Sequence, residues 1–369
     1  MINKRKIGII TCGKESNYGA CLQAFATYHT IKKMGYDVEL MNYSFQSDKP
    51  YLPFNKPSLK STISSLLFFF PRRNRWQAFE GFRNRYMKYS DERLYNVDDF
   101  KRVKSNYDVF LVGSDQVWNP ELGIDIDITL LTFYNSKDGP NKISYASSMG
   151  LDKLPNSMEE KYRNALLDFE KISVREKSGV QIVKQLTQKE CSLVSDPVLL
   201  LSKEEWNEFI DESVVPKEPY IFIYDMRHSR HVQECALDLA KKYDSKVIAC
   251  ASVWLGRKGI ETHLSYSPSQ YLALIKNAKA VVTDSFHGTV FSIIFQKEFY
   301  AFSSGEGKKI GGRLSNILQI VHLENRLLEI YDKTLQIPPI DYASVNKDVA
   351  MFRNNSWDYL KKALNYGES

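Results

Sequence analysis

Residues Ala280–Phe291 read AVVTDSFHGTVF, and this stretch decides the fold. Ala280-Val281-Val282 has the unbroken apolar character of a strand covered on both faces, as strands in parallel sheets are. The run stops at Thr283-Asp284, and Gly288-Thr289-Val290-Phe291 opens a second apolar segment that continues to Phe295. Between them lie an acid, a hydroxyl, an aromatic ring and one of the six histidines, Asp284-Ser285-Phe286-His287. In open α/β sheets, ligands bind beyond the carboxyl ends of strands, where the next helix presents free N–H groups and the positive end of its dipole. A histidine at such a turn can change charge near neutral pH or hold an anion.

The same strand, polar turn and helix recur in both directions. Toward the C-terminus, Glu298–Phe302 reads as a strand. The glycine-rich loop Ser303–Gly312 then precedes Arg313, a helix predicted over Leu314–Val321, and a last helix over about 347–364. Toward the N-terminus, Ser267-Pro268-Ser269-Gln270 is a capping box with proline at the first helical position. Tyr220–Tyr224, a helix over 231–242 and the strand Lys246–Cys250 begin that half. A second capping box, Ser202-Lys203-Glu204-Glu205, and a linker over Asp211–Pro219 come before it. In the first half, strands are predicted at 7–11, 38–41, 107–112, 143–147, 171–174 and 192–194. They end on polar turns such as Gly13–Asn17, Gly113–Pro120, Arg175 and Asp196-Pro197. This pattern predicts an α/β protein with a mostly parallel sheet in each half. The expected domains are 1–210 and 220–345, with a helix over 346–369 packing back on the first. No G-x-G-x-x-G follows the first strand, so a nicotinamide or flavin cofactor is not expected.

At 369 residues the chain is long for one core. Its 43% apolar and 25% charged content is that of a globular protein, and a net charge of +6 is too small to argue for nucleic acid. Five dispersed cysteines without a CxxC pair fit reduced thiols rather than disulfides or zinc, and Cys12 reads as a packing residue. The early apolar run Ile7–Cys12 is broken by Gly8, and Leu66–Phe70 is far short of the roughly 20 residues that span a bilayer. The expectation is a soluble cytoplasmic protein. Residues 56–88 stand apart, with eight basic residues against one acid and interleaved aromatics such as Trp76, Phe79, Phe82 and Tyr86. Such a segment either packs its aromatics on a core and solvates its arginines, or lies on an anionic membrane or glycan.

Four groups could carry chemistry. His287 could serve as acid, base or anion holder. The glycine-rich loop Ser303–Gly312, with Lys308 and Lys309 inside it and Arg313 after it, could cradle phosphate or carboxylate. Arg175, directly after a strand, is a second anion clamp. Asp115 could be an acid/base or a hydroxyl orienter, or it could cap a helix beginning near Gln116. A Ser-His-Asp hydrolase is a poor fit, since there is no G-x-S-x-G elbow and Ser285 and His287 are too close in sequence to build that triad simply. No metal site is expected: there is no HExxH, and Asp125-Ile126-Asp127 sits in an apolar stretch.

Taken together, six motifs resemble the polysaccharide pyruvyl transferase family. They are Asn17-Tyr18-Gly19-Ala20-Cys21-Leu22-Gln23, Gly113-Ser114-Asp115-Gln116-Val117-Trp118-Asn119, Ser144-Tyr145-Ala146-Ser147, Ser173-Val174-Arg175-Glu176, Asp196-Pro197 and Thr283–Gly288. The resemblance implies two Rossmann-like domains facing a cleft, as in GT-B glycosyltransferases. It also implies transfer of the enolpyruvyl group of phosphoenolpyruvate to a sugar of a bacterial surface polysaccharide or its lipid-linked precursor, with no cofactor. By that likeness His287 is the acid/base. Arg175, Ser285, Lys308, Lys309 and Arg313 are expected around the donor. Asp115, Asn17, Gln116, Trp118 and Asn119 are expected to face the acceptor. Members often carry an arginine two residues before the histidine, whereas this sequence has Ser285. The competing expectations are a GT-B-like glycosyltransferase using a nucleotide sugar, for which Glu306 could hold the ribose, and a non-catalytic glycan- or membrane-binding protein built on 56–88. The implied address is the cytoplasm, at the inner face of the membrane through 56–88.

Overall fold

The computed structural model describes residues 5–43, 69–252, 255–303, 312–334 and 336–365. The chain divides into two compact units. Met1–Gln46, Tyr86–Leu201 and Asn346–Ser369 form the first, and Ser47–Arg85 with Ser202–Val345 form the second.

The first unit holds β1 (Lys6–Ile10), β2 (Asp37–Leu40), β3 (Val109–Val112) and β4 (Asn141–Ser144) in the order β2-β1-β3-β4, with every neighbouring pair parallel. Bridges Ile143↔Lys171 and Ser147↔Val174 extend this sheet to the short parallel pair β5 (Ser173–Val174) and β6 (Ser192–Leu193). All four residues of β3 are buried, as burial on both faces requires. Helix α1 (Tyr18–Lys33) is buried on nearly every face rather than along a stripe, and it ends where Gly35 turns at φ 92°.

The second unit holds β7 (Tyr220–Tyr224), β8 (Lys246–Cys250), β9 (Glu261–His263), β10 (Ala280–Thr283), β11 (Glu298–Phe302) and β12 (Leu327–Leu328). Their order is β12-β11-β10-β7-β8-β9, all parallel. This is the doubly wound order in which strands advance outward from β7 on one side and from β10 on the other. The place where the direction reverses lies between β7 and β10, so the stretch Ala280–Phe291 sits at it.

Helix α2 (Phe69–Tyr86) corrects one expectation. Phe79 and Phe82 are buried as an amphipathic helix demands, but Arg75 and Arg83 are buried with them. Arg75 donates to the carbonyls of Ala251 and Leu264, each at 3.3 Å, and Arg83 pairs with Glu80 at 2.8 Å. The basic face is therefore partly structural, because buried guanidinium groups need fixed acceptors. Residues 56–68 lie outside the described residues. The remaining long helices are α3 (Asn156–Leu167), α4 (Lys177–Thr187), α5 (Arg230–Lys242), α6 (Pro268–Asn277), α7 (Phe286–Ile294), α8 (Gly312–Ile320) and α9 (Tyr342–Ala363). Both capping boxes form, at Ser202 with Glu205 and at Ser267 with Gln270. The end of α9 is tied to the first unit by Ser356 to the Ser195 N–H (2.8 Å), Trp357 to the Leu200 carbonyl (3.2 Å) and Tyr359 to the Ser144 carbonyl (2.8 Å). Among the described residues no helix is long and apolar enough to cross a membrane.

Candidate active site

In the second unit, β10 delivers Asp284, Ser285 and His287 to the carboxyl edge of the sheet. Thr283 closes the strand by donating its hydroxyl to the Tyr224 carbonyl at 2.7 Å, and its oxygen accepts the Ser285 N–H at 3.0 Å. Ser285 is the N-cap of α7, and its hydroxyl accepts the Gly288 N–H at 3.4 Å. Ser285 therefore shapes the helix start; its oxygen is occupied by the cap. A Cβ on Gly288 would come 2.5 Å from Thr283 Oγ1, so glycine is required for this close helix–strand approach. His287 lies in the first turn of α7, only 6% exposed, with its ring edge-on to Phe286.

Two carboxylates flank this turn. Asp284 accepts the Met226 N–H at 2.8 Å and lies 3.5 Å from Arg227. Asp225, after β7, accepts the N–H groups of Arg227 (3.2 Å) and Ser229 (3.1 Å). Burial pushes the Asp284 carboxyl above its ordinary value; the Met226 N–H works against this and the charge of Asp225 adds to it. Of the donor cations expected from the sequence, Arg313 is half-buried in the first turn of α8, and Lys308 and Lys309 lie outside the described residues.

In the first unit, the carboxyl ends of β1, β3, β5 and β6 gather a second polar set. Gly113 turns at φ 114° where a Cβ would strike the Tyr145 carbonyl at 2.3 Å, so only glycine fits. Asp115 adopts φ 67°, the left-handed region, and is not the helix cap that was one expectation for it. Its backbone carbonyl accepts the Ser148 N–H at 2.9 Å, and its carboxylate meets Arg175 at 3.2 Å. Arg175, 3% exposed, also pairs with buried Asp196, to which Ser114 donates at 3.2 Å. Burial opposes the Arg175 charge, but Asp196 and Asp115 outweigh it and hold the guanidinium cationic. Arg175 is thus brought together with Asp115 in one unit, and its charge is already balanced by protein carboxylates.

The other expected acceptor residues divide. Asn17 is the N-cap of α1, its side chain accepting the Ala20 N–H at 3.1 Å. Asn119 donates to Gln116 at 2.7 Å and accepts the Glu121 N–H at 3.0 Å. Trp118 does not face a ligand: it is wholly buried, donates to the Thr129 carbonyl at 3.0 Å and packs edge-on against Phe169. Burial, followed by the charges of Glu15 and Asp115, raises the Cys12 thiol well above its ordinary value, which favours the protonated thiol. Asp125 caps a short helix and Asp127 pairs with Lys161 at 2.8 Å. Among the described residues no three His, Cys, Asp or Glu side chains gather as metal ligands. Sequence reasoning did not single out Asp196, Asp225, Asp284 or Arg227 as site residues. The signal was there for two of them, Asp225 and Asp284, each a charged residue directly after an apolar strand.

The solved structures similar to this chain include the UDP-GlcNAc 2-epimerase from Methanocaldococcus jannaschii, with TM-score 0.54 and 12% identity, covering 98% of this chain and 100% of that one. S. aureus MnaA in a co-structure with UDP gives TM-score 0.52 at 12% identity, covering 99% and 98%. At such identities the likeness is one of fold, and it is that of two Rossmann-like units of the GT-B kind. No curated protein sequence matches. The sequence profile of the family described as polysaccharide pyruvyl transferase matches residues 17–306, which spans Asn17, Asp115, Arg175 and the switch-point histidine. With most of its length so matched and both polar sets inside the match, the chain belongs to the polysaccharide pyruvyl transferase family.

Proposed function

We propose that the protein transfers the enolpyruvyl group of phosphoenolpyruvate to two hydroxyls of a saccharide, giving a pyruvate ketal and inorganic phosphate. The observation that carries this reading is the position of His287, buried in the first turn of α7 at the switch point of a doubly wound sheet. The reaction begins with protonation of the donor's methylene carbon, which becomes a methyl group and leaves an oxocarbenium-like centre at C2. One sugar hydroxyl adds there and gives up its proton. Phosphate then departs with its bridging oxygen, the second hydroxyl adds, and its proton leaves with the phosphate or to solvent. His287 supplies the first proton and recovers one from an adding hydroxyl, the double role that an imidazole near neutral pH can fill.

Arg313, with Lys308 and Lys309, binds the donor's anionic groups, and Ser285 contributes by fixing the helix start. Asp115 orients or deprotonates an acceptor hydroxyl, held in place by Arg175, while Asn17, Gln116 and Asn119 line the acceptor side. The acceptor belongs to a bacterial surface polysaccharide or its lipid-linked precursor. A lipid-linked acceptor would bring the protein to the inner face of the cytoplasmic membrane, where exposed Arg73 and Arg85 of α2 suit anionic headgroups. The test is His287→Ala. Phosphate release from phosphoenolpyruvate with a saccharide acceptor is expected to fall by about 100-fold or more while the thermal unfolding profile is kept. Unchanged phosphate release would refute the assignment.

A further inference from the structure

We propose that Arg227 is the cation that recognises the donor's carboxylate or phosphate in the second unit, displayed on a loop whose backbone two buried carboxylates hold in place. The inference rests on the reading that this unit binds an enolpyruvyl phosphate. Arg227 follows β7 at the reversal point of the sheet, beside the strand end that carries His287.

The loop is pinned from below. Asp284 takes the Met226 N–H, Asp225 takes those of Arg227 and Ser229, and Gln233 reaches Asp225 at 3.5 Å. His228 sits at φ 59°, a conformation held by its surroundings rather than by its own preference. The backbone of Arg227 is therefore fixed while its side chain is 54% exposed. Among the described residues its guanidinium has one ion-pair contact, the 3.5 Å approach to Asp284, which leaves donors for a planar, two-oxygen anion. Burial also favours the protonated form of Asp284, which lessens its hold on the guanidinium.

The contrast with Arg230, three residues on, is informative. Arg230 is 83% exposed and pairs through Nε with Glu234 at 2.8 Å, an ordinary i,i+4 surface pair within α5. Neither α5 nor α7 has an acidic residue in its first turn, and the two carboxylates at these helix starts, Asp225 and Asp284, are engaged by the N–H groups of the loop. Met226, 46% exposed beside it, offers apolar surface to the donor's methylene.

Calorimetric titration of phosphoenolpyruvate into the full-length wild type, Arg227→Ala, Arg227→Lys and Arg230→Ala tests this. The expected result is binding about 10- to 100-fold weaker for Arg227→Ala, partial recovery in Arg227→Lys, and wild-type affinity for Arg230→Ala. Wild-type binding that survives unchanged in Arg227→Ala overturns the inference and leaves the donor reading intact. A wild type that does not bind phosphoenolpyruvate overturns the donor reading and, with it, the role given to Arg227. A loss in Arg230→Ala equal to that in Arg227→Ala would also overturn it, since the effect would then be one of general charge.

Discussion

Arg175 shows how a residue's role changes once its neighbours are known. A lone arginine after a strand reads as a ligand clamp, but its partners, Asp115 and Asp196, are 60 and 21 residues away in sequence. Nothing in a single sequence says that the ends of β3, β5 and β6 converge. The buried guanidinium instead neutralises two carboxylates, and removing one member of such a cluster is costly because uncompensated charge is left behind. Arg175→Ala is expected to lose about 3–5 kcal/mol of stability, read as a lowered denaturant midpoint. Asp284 makes an opposite kind of prediction. Its folded carboxyl keeps its proton to a higher pH than the unfolded value of 3.8, so the native state binds more protons between the two. Stability from this group is full below the unfolded value and is lost as pH rises through the folded one. The stability difference between Asp284→Asn and wild type should therefore shift in favour of the variant as pH rises from the unfolded value through the folded one, measured by chemical denaturation across that range. A gap that stays constant with pH would contradict it.

At the scale of elements, strands and helix starts were legible because each is written locally. YIFIY and AVVT are unbroken apolar runs, and both turn out to be wholly buried strands. The capping boxes at Ser202 and Ser267 formed for the same reason: their partners are three residues apart. What local reading missed were β9 and β12, strands of three and two residues that exist only because a neighbouring edge is there to pair with. It also solvated Arg75, whose carbonyl partners are 176 and 189 residues away. The edge of the first sheet holds a further long-range group. Glu39 of β2 accepts from Tyr107 at 2.7 Å and pairs with Lys6 and Lys88, each at 3.1 Å. Burial pushes its carboxyl up, but these three partners together bring it below the ordinary 4.5. The stability that it supplies is present above that value and lost as pH falls through the folded one. Glu39→Gln should cost about 1–3 kcal/mol at neutral pH and progressively less on acidification, measured by chemical denaturation across that range.

For the whole molecule, the sequence carried the α/β class and the resemblance carried the two-unit, GT-B-like architecture, both of which the fold bears out. Strand order was out of reach, because β10 and β7 pair across more than fifty residues and the pairing depends on every helix between them. That order is what turns an apolar run with a histidine after it into a switch-point site. It also gives the account its central claim, that the second unit receives phosphoenolpyruvate rather than a nucleotide sugar. Ligand-dependent thermal unfolding of the full-length protein tests this most directly, since a ligand at about 100 times its dissociation constant adds about 2.7 kcal/mol to the state that binds it. The account predicts a raised midpoint with phosphoenolpyruvate and none with UDP-N-acetylglucosamine. Stabilisation by the nucleotide sugar, with none by phosphoenolpyruvate, would contradict it.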